Sequence, residues 1–248
     1  MPSHASQPAT SRPITNVLTN PPQLPLIAPS ILAADYTKLG EECRSALQAG
    51  GDLLHFDVMD GHLVPNLALG VDMLASLKAA MPDAFFDAHL MIERPDVFAK
   101  PFAQAGTGHL TFHIEAMNGE MAGDRGRALI DTIRGLGMSA GIAIDGPTAV
   151  EKADALLEHA DLVLIMAIRA GFSGQAFDPG ALDKIRYVRE RVPETTRIEV
   201  DGGVGPANAA DLLQAGADVL AAASAVFRVS PPERVTVITQ MRGPASGS

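Results

Sequence analysis

The sequence predicts an α/β fold made of one parallel (β/α)8 barrel, and three observations carry that prediction. The tripeptide Gln-Ala-Gly recurs at Gln48-Ala49-Gly50, Gln104-Ala105-Gly106 and Gln214-Ala215-Gly216, each time closing a helical pattern and leading into an apolar run. The recurrences stand two and four units of about 28 residues apart, and eight such units account for residues 25–248. The Gly-x-Gly-x-x-Gly fingerprint that an open dinucleotide-binding sheet carries after its first strand is absent.

In chain order the strands fall on short apolar runs between turn signals. They are Leu26 to Ile31, Leu53 to Val58, Phe85 to Met91, Leu110 to Ile114, Ser139 to Ile144, Leu162 to Met166, Ile198 to Val200 and Val219 to Ala223. Between them, apolar stripes at helical spacing predict helices that face a core. These are Phe98, Phe102 and Ala105 behind Pro95, then Leu129, Ile133 and Leu136, then Leu182, Ile185 and Val188. The glycine after each Gln-Ala supplies the left-handed backbone in which a helix ends. Residues 1–24, rich in Pro, Ser, Thr and Asn, are expected to lie outside the fold as a mobile extension. Residues 25–242 form the barrel domain and 243–248 a loose tail.

Of the 248 residues, 47% are hydrophobic and 19% charged, enough to bury a sizeable core. Acids outnumber Lys and Arg by 29 to 19, a net charge of −10, which disfavours nucleic acid or an anionic membrane as partner. A lone cysteine, Cys43, permits no internal disulfide and no multi-cysteine zinc site, and it fits a reducing compartment. With no apolar run long enough to span a bilayer and no secretory h-region, a cytoplasmic location is expected.

A barrel of this kind works at the C-terminal ends of its strands. There His55-Phe56-Asp57 closes the second predicted strand, Asp87-Ala88-His89 the third, and Asp201 the seventh, ahead of Gly202-Gly203. A period of two aims His55 and Asp57 the same way. Gathered at one mouth, His55, Asp57, His89 and Asp201 offer two imidazoles and two carboxylates. That set suits Zn2+, Fe2+, Mn2+ or Co2+ and does not select among them. Asp87, one step deeper than His89, reads as a hydrogen-bonding orienter, and His113 as a supporting or rim residue. Gly171-Phe172-Ser173-Gly174, Gly202-Gly203 and Ala223-Ser224 end the last three strands and make a lysine-free anion cradle of backbone amides. Met59, Met91 and Met166 at the same mouth suggest an apolar lid that excludes water.

The strings IAPSILAAD (27–35), LLHFDVMDGHLVPNLALG (53–70), DAHLMIERPD (87–96), GFSGQAF (171–177) and IEVDGGV (198–204) resemble the ribulose-phosphate 3-epimerase family from about Leu26 to Phe227. The resemblance implies a TIM barrel of the ribulose-phosphate-binding type and a homo-oligomer. It implies one divalent metal on His55, Asp57, His89 and Asp201, and an acid/base pair at Asp57 and Asp201. Substrate contacts would come from Ser30, His89, Asp201, the three methionines, residues 171–174, Gly202, Gly203, Ala223 and Ser224. The implied reaction inverts C3 of a ketose phosphate, D-ribulose 5-phosphate to D-xylulose 5-phosphate, through an enediolate. Barrels that decarboxylate orotidylate or condense formaldehyde with a pentulose phosphate need an Asp-x-Lys-x-x-Asp run. His55 to Asp60 contains no lysine.

Several positions depart from the family pattern. Ala170 stands where a proline is usual, Ser173 and Ala223 where glycines are usual, and Arg169 where an acid or amide is usual. Asp145-Gly146-Pro147-Thr148 replaces Asn-Pro-x-Thr, and Leu63 and Ala68 replace Phe and Thr. The metal and proton-transfer set is intact while the substrate-holding set is altered. A second reading is therefore an epimerase for another ketose phosphate, a hexulose or branched sugar. A third is a non-catalytic barrel.

Overall fold

Each of the eight apolar runs forms a strand in the computed structural model, which describes residues 16–117, 122–172 and 174–243. The strands are β1 (Leu26–Pro29), β2 (Leu54–Asp60), β3 (Leu67–Ala68), β4 (Phe86–Met91), β5 (His109–His113), β6 (Ser139–Ile144), β7 (Leu162–Met166), β8 (Arg197–Asp201) and β9 (Val219–Ala222). They order as β1-β9-β8-β7-β6-β5-β4-β2-β3. All pairings are parallel except that of β3, a two-residue strand folded back antiparallel on β2. β1 and β2 close the circle through a parallel bridge between Ser30 and His55, and the Asp52 amide donates to the Ile27 carbonyl at 2.9 Å. The fold is a (β/α)8 barrel with one small hairpin strand added.

The helices that wrap it are α1 (Leu39–Gln48), α2 (Val71–Ala80), α3 (Pro95–Ala105), α4 (Ala122–Gly135), α5 (Asp154–Leu157), α6 (Ala181–Arg189), α7 (Ala209–Ala215), α8 (Ser224–Phe227) and α9 (Pro231–Arg242). The three Gln-Ala-Gly repeats close α1, α3 and α7. Gly50, Gly106 and Gly216 carry φ values of +108°, +94° and +113°, where a side chain would be strained. None of the described helices is long and apolar enough to cross a membrane.

The strand period of two sorts the core into two clusters. Phe56, Ala88, Leu110, Phe112, Ile142 and Val200 point outward against the helices. Leu26, Leu53, Met59, Met91, Leu162, Met166 and Val219 point into the barrel. Between these apolar layers the interior is polar, with His55, Asp57, Asp87, His89, His109, Thr111 and Glu199 all buried.

Two expectations need correction. On α3 the buried face is Pro95, Ala99 and Phe102, and Phe98 is 39% exposed, so the predicted stripe is rotated by one residue at its start. The N-terminal boundary also moves. Within the segment expected to lie outside, Leu18 is 1% exposed in the barrel-interior cluster, and its carbonyl accepts from Arg197 Nε at 2.9 Å. Asn16 Nδ2 donates to Ser139 Oγ at 2.8 Å. A single buried leucine in a polar stretch leaves no periodicity for sequence reading to detect. Residues 1–15 and 244–248 lie outside the described residues. Leu18→Ala should lower unfolding stability by about 2–3 kcal/mol in urea titration, the scale for a truncated core leucine. A loss below about 0.5 kcal/mol, the range of surface substitutions, would mean that this segment does not hold the barrel foot.

Candidate active site

The parallel register between β2 and β4 sets Asp57 opposite His89 and His55 opposite Asp87, while β8 brings Asp201 level with Met166 of β7 and Ala221 of β9. The ligand atoms of His55, Asp57, His89 and Asp201 thereby converge within 4.8 Å of one another. Asp57 Oδ1 lies 3.3 Å from His55 Nε2 and 3.2 Å from His89 Nδ1, and Asp201 Oδ2 lies 3.9 Å from His89 Nδ1. Ser30 Oγ donates to Asp57 Oδ2 at 2.6 Å.

Asp87 takes the part expected of it: His55 Nδ1–H donates to Asp87 Oδ2 at 2.6 Å, which turns His55 Nε2 toward the cluster. That Nε2 is buried and has no hydrogen-bond partner among the described residues. Glu199 was missed by sequence reading. Its Oε1 is 3.2 Å from His55 Nδ1, and with His55 and Asp87 it forms a second, deeper acidic cluster. The signal existed, since Glu199 is two residues before Asp201 on an apolar strand and so shares its inward face.

Burial and neighbouring charge set the protonation pattern. Burial opposes charge on His55, yet Asp57, Glu199 and Asp87 around it raise its pKa well above the usual histidine value. Burial likewise works against an ionised Asp57, but His55 beside it holds its carboxyl below the ordinary range. Asp201 goes the other way: burial, then the charge of Asp57, pushes it up to about 7. Burial and Asp87 push Glu199 up to about 8. Burial lowers His89 to about 4, which keeps this imidazole neutral with a lone pair to offer. The two central carboxylates thus have opposite proton affinities.

One cleft joins these residues to the other predicted set. Ser30, Asp57, Met59, Met91, Met166, Gly171, Phe172, Gly174, Asp201, Gly202, Gly203, Ala223 and Ser224 all line it. Ser173 lies outside the described residues. Gly203 has φ +66°, and a Cβ there would come within 2.9 Å of the Phe177 backbone nitrogen, so this turn admits only glycine. Ala223 has φ −91°, outside the left-handed region that favours glycine. Arg169 lines a separate groove with Gly146, Pro147, Gln175 and Asp178, apart from the two aspartates.

Two features that distinguish this chain interlock. Asp145 Oδ1 accepts from the Ala170 amide at 2.7 Å and from the Gly146 amide at 2.8 Å. A proline at either position has no N–H to give.

Fold and site together define an enzyme that works at the C-terminal mouth of a (β/α)8 barrel. The model of the ribulose-phosphate 3 epimerase family matches residues 26–227. The ribulose-phosphate 3-epimerase of Escherichia coli K12 is 42% identical over 88% of this chain and 94% of its own. That of Mycobacterium leprae is 41% identical over 89% and 96%. Among solved structures, a 3-hexulose-6-phosphate synthase (17% identical, TM-score 0.63, covering 89% of this chain and 98% of its own) shares the fold. So does a 3-keto-L-gulonate-6-phosphate decarboxylase from Vibrio cholerae, at 15% identity and TM-score 0.66, with 89% and 96% covered. The chain belongs to the ribulose-phosphate 3-epimerase family, whose named members are carbohydrate epimerases.

The deeper cluster can be tested separately. Asp87→Ala removes the acceptor of the His55 Nδ1 proton and should destabilise the metal-free protein by about 3–5 kcal/mol, the cost of stranding a buried charge. Urea titration reads this. A change under about 1 kcal/mol would mean that Glu199 takes over the bond unaided.

Proposed function

We propose that the chain is a metal-dependent epimerase that inverts C3 of a ketose phosphate, interconverting D-ribulose 5-phosphate and D-xylulose 5-phosphate. The observation that carries this reading is the convergence of Asp57 and Asp201 with His55 and His89 in one buried cluster at the strand ends. The names of the relatives support the same sugar.

The residues fit a divalent cation. His55 Nε2 is a buried ring nitrogen with no hydrogen-bond partner among the described residues, it faces the cluster, and two imidazoles with two carboxylates form a donor set that first-row metals accept. When bound by His55, Asp57, His89 and Asp201, such an ion supplies Lewis-acid stabilisation of negative charge on neighbouring substrate oxygens.

The protein's own groups do the rest. The C3 hydrogen of the ketose is acidic because it adjoins the C2 carbonyl. One aspartate takes that proton from one face, the C3–H electron pair moves into the C2–C3 bond, and an enediolate results. The other aspartate returns a proton to C3 from the opposite face, and the carbonyl re-forms with C3 inverted. Which aspartate is the base depends on the direction of reaction. Ser30 steadies Asp57, and Met59, Met91 and Met166 keep water from the intermediate. Backbone amides of residues 171–174, Gly202, Gly203, Ala223 and Ser224 hold the phosphate, which lets an acidic protein bind an anion.

Turnover in D2O should place deuterium at C3 of the product, with D-ribulose 5-phosphate preferred in a panel of ketose phosphates. Product without label, or preference for a hexulose phosphate, would overturn the mechanism or the substrate respectively. Chelation should abolish activity, and Zn2+, Fe2+, Mn2+ or Co2+ should restore it. Asp57→Asn should lower kcat by about 10³-fold or more even with excess metal, beyond the middle of the range for general acid–base catalysis. His89→Ala should be partly rescued by excess metal. Near-normal kcat in Asp57→Asn would rule out the two-aspartate mechanism.

A further inference from the structure

His55 and His89 offer different ring nitrogens to the cluster, and only the first choice is explained by Asp87. His89 faces the cluster with Nδ1, and its Nε2 lies 2.9 Å from Nε2 of His113. The ring planes lie within 17° of each other with centroids 5.0 Å apart, so the two rings meet edge to edge through these nitrogens. His113 Nδ1 in turn lies 2.9 Å from Glu115 Oε2, and Glu115 Oε1 accepts the Asp145 amide at 2.9 Å. Lys184 Nζ ties this end of the chain down, donating to the carbonyls of Asp145, Gly146 and Thr148 at 3.1, 2.6 and 2.7 Å.

We propose that Glu115, acting through His113, is a positioning residue that fixes the tautomer of His89 and so presents its Nδ1 lone pair to the metal. The inference rests on the metal site proposed above.

The polarity follows from counting donors. Both Glu115 oxygens act as acceptors, one for the Asp145 N–H and one for His113. His113 must then carry its proton on Nδ1, so its Nε2 has a lone pair. That lone pair accepts from His89 Nε2–H, which leaves His89 Nδ1 bare. Every contact from Asp145 to His89 is then a donor–acceptor pair. Burial opposes charge on Glu115, yet the bond from His113 holds it down at about 2, so the terminal acceptor is a carboxylate.

Glutamine at position 115 cannot replace the carboxylate. Its NH2 must face either the Asp145 N–H, two donors in contact, or His113 Nδ1, which reverses the chain and puts a proton on His89 Nδ1. Glu115→Gln should therefore weaken Co2+ binding, measured by chelator competition, by about 10–100-fold, the usual effect of losing a partner behind a metal-bound histidine. His113→Gln, whose amide oxygen can accept from His89 Nε2–H, should bind Co2+ more tightly than His113→Leu. Nitrogen-15 spectra of the histidine rings in Zn2+-loaded wild-type protein should show protons on His89 Nε2 and His113 Nδ1.

Wild-type Co2+ affinity in Glu115→Gln overturns the proposal, and so does a spectrum with no proton on His89 Nε2. The spectrum decides if Glu115→Gln fails to fold. His55 lies outside this chain of contacts, so His55→Ala separates the two readings. Unchanged Co2+ affinity in His55→Ala would overturn the metal site and this inference together. Loss in His55→Ala with none in Glu115→Gln would overturn this inference alone.

Discussion

Asp57 is almost wholly withdrawn from solvent, and its carboxylate has Ser30 Oγ at 2.6 Å, His89 Nδ1 at 3.2 Å and His55 Nε2 at 3.3 Å. An isolated carboxylate at that depth would cost many kcal/mol, and removing water strengthens every charge beside it. The surrounding pattern answers this one burial. Against the pull of burial, Asp57, Glu199 and Asp87 hold His55 above the usual histidine pKa, burial and then the charge of Asp57 push Asp201 up to about 7, and burial lowers His89 to about 4. Opposite proton affinities on two neighbouring carboxylates are what proton removal and return require. The arrangement that makes this burial tolerable is the one the proposed proton transfers would use.

The departures from the family pattern divide once their contacts are known. Asp145, Gly146 and Ala170 act together, since the Asp145 carboxylate needs the two amides that non-proline residues provide. They join the loops after β6 and β7, and none of the three lines the cleft. Arg169 lies in its own groove, and Ala223 has a negative φ that does not demand glycine. The altered positions therefore give little reason to move the substrate away from a pentulose phosphate.

The eight-unit barrel and the four converging residues were legible because each rests on a local pattern: glycine at a helix end, polar residues two apart at the end of an apolar run. Three things were not. Glu199 sits inside an apolar strand two residues before Asp201, where its inward face could be inferred but its meeting with His55 could not. Glu115 belongs to a 3-10 turn, Ile114–Ala116, where no simple period says which way a side chain points. Leu18 stands alone in a polar stretch, and its burial depends on the barrel floor formed by residues far along the chain.

That floor obeys the same constraint as the mouth. At the N-terminal ends of the strands His109 is buried, with Nδ1 2.7 Å from Ser139 Oγ and Nε2 2.9 Å from Thr111 Oγ1. Asn16 adds a donor to Ser139, so a residue from outside the barrel completes the set. His109 Nε2 is also 4.0 Å from Asp87 Oδ1, an oxygen with no hydrogen-bond partner among the described residues. A polar column therefore runs from Asn16 through His109 and Asp87 to His55. Leu18 joins the apolar cluster of the barrel interior, and its carbonyl accepts from Arg197 Nε at 2.9 Å. Part of the segment that composition set aside as a loose extension thus gives the buried foot of the barrel one apolar side chain, Leu18, and one hydrogen-bond donor, Asn16.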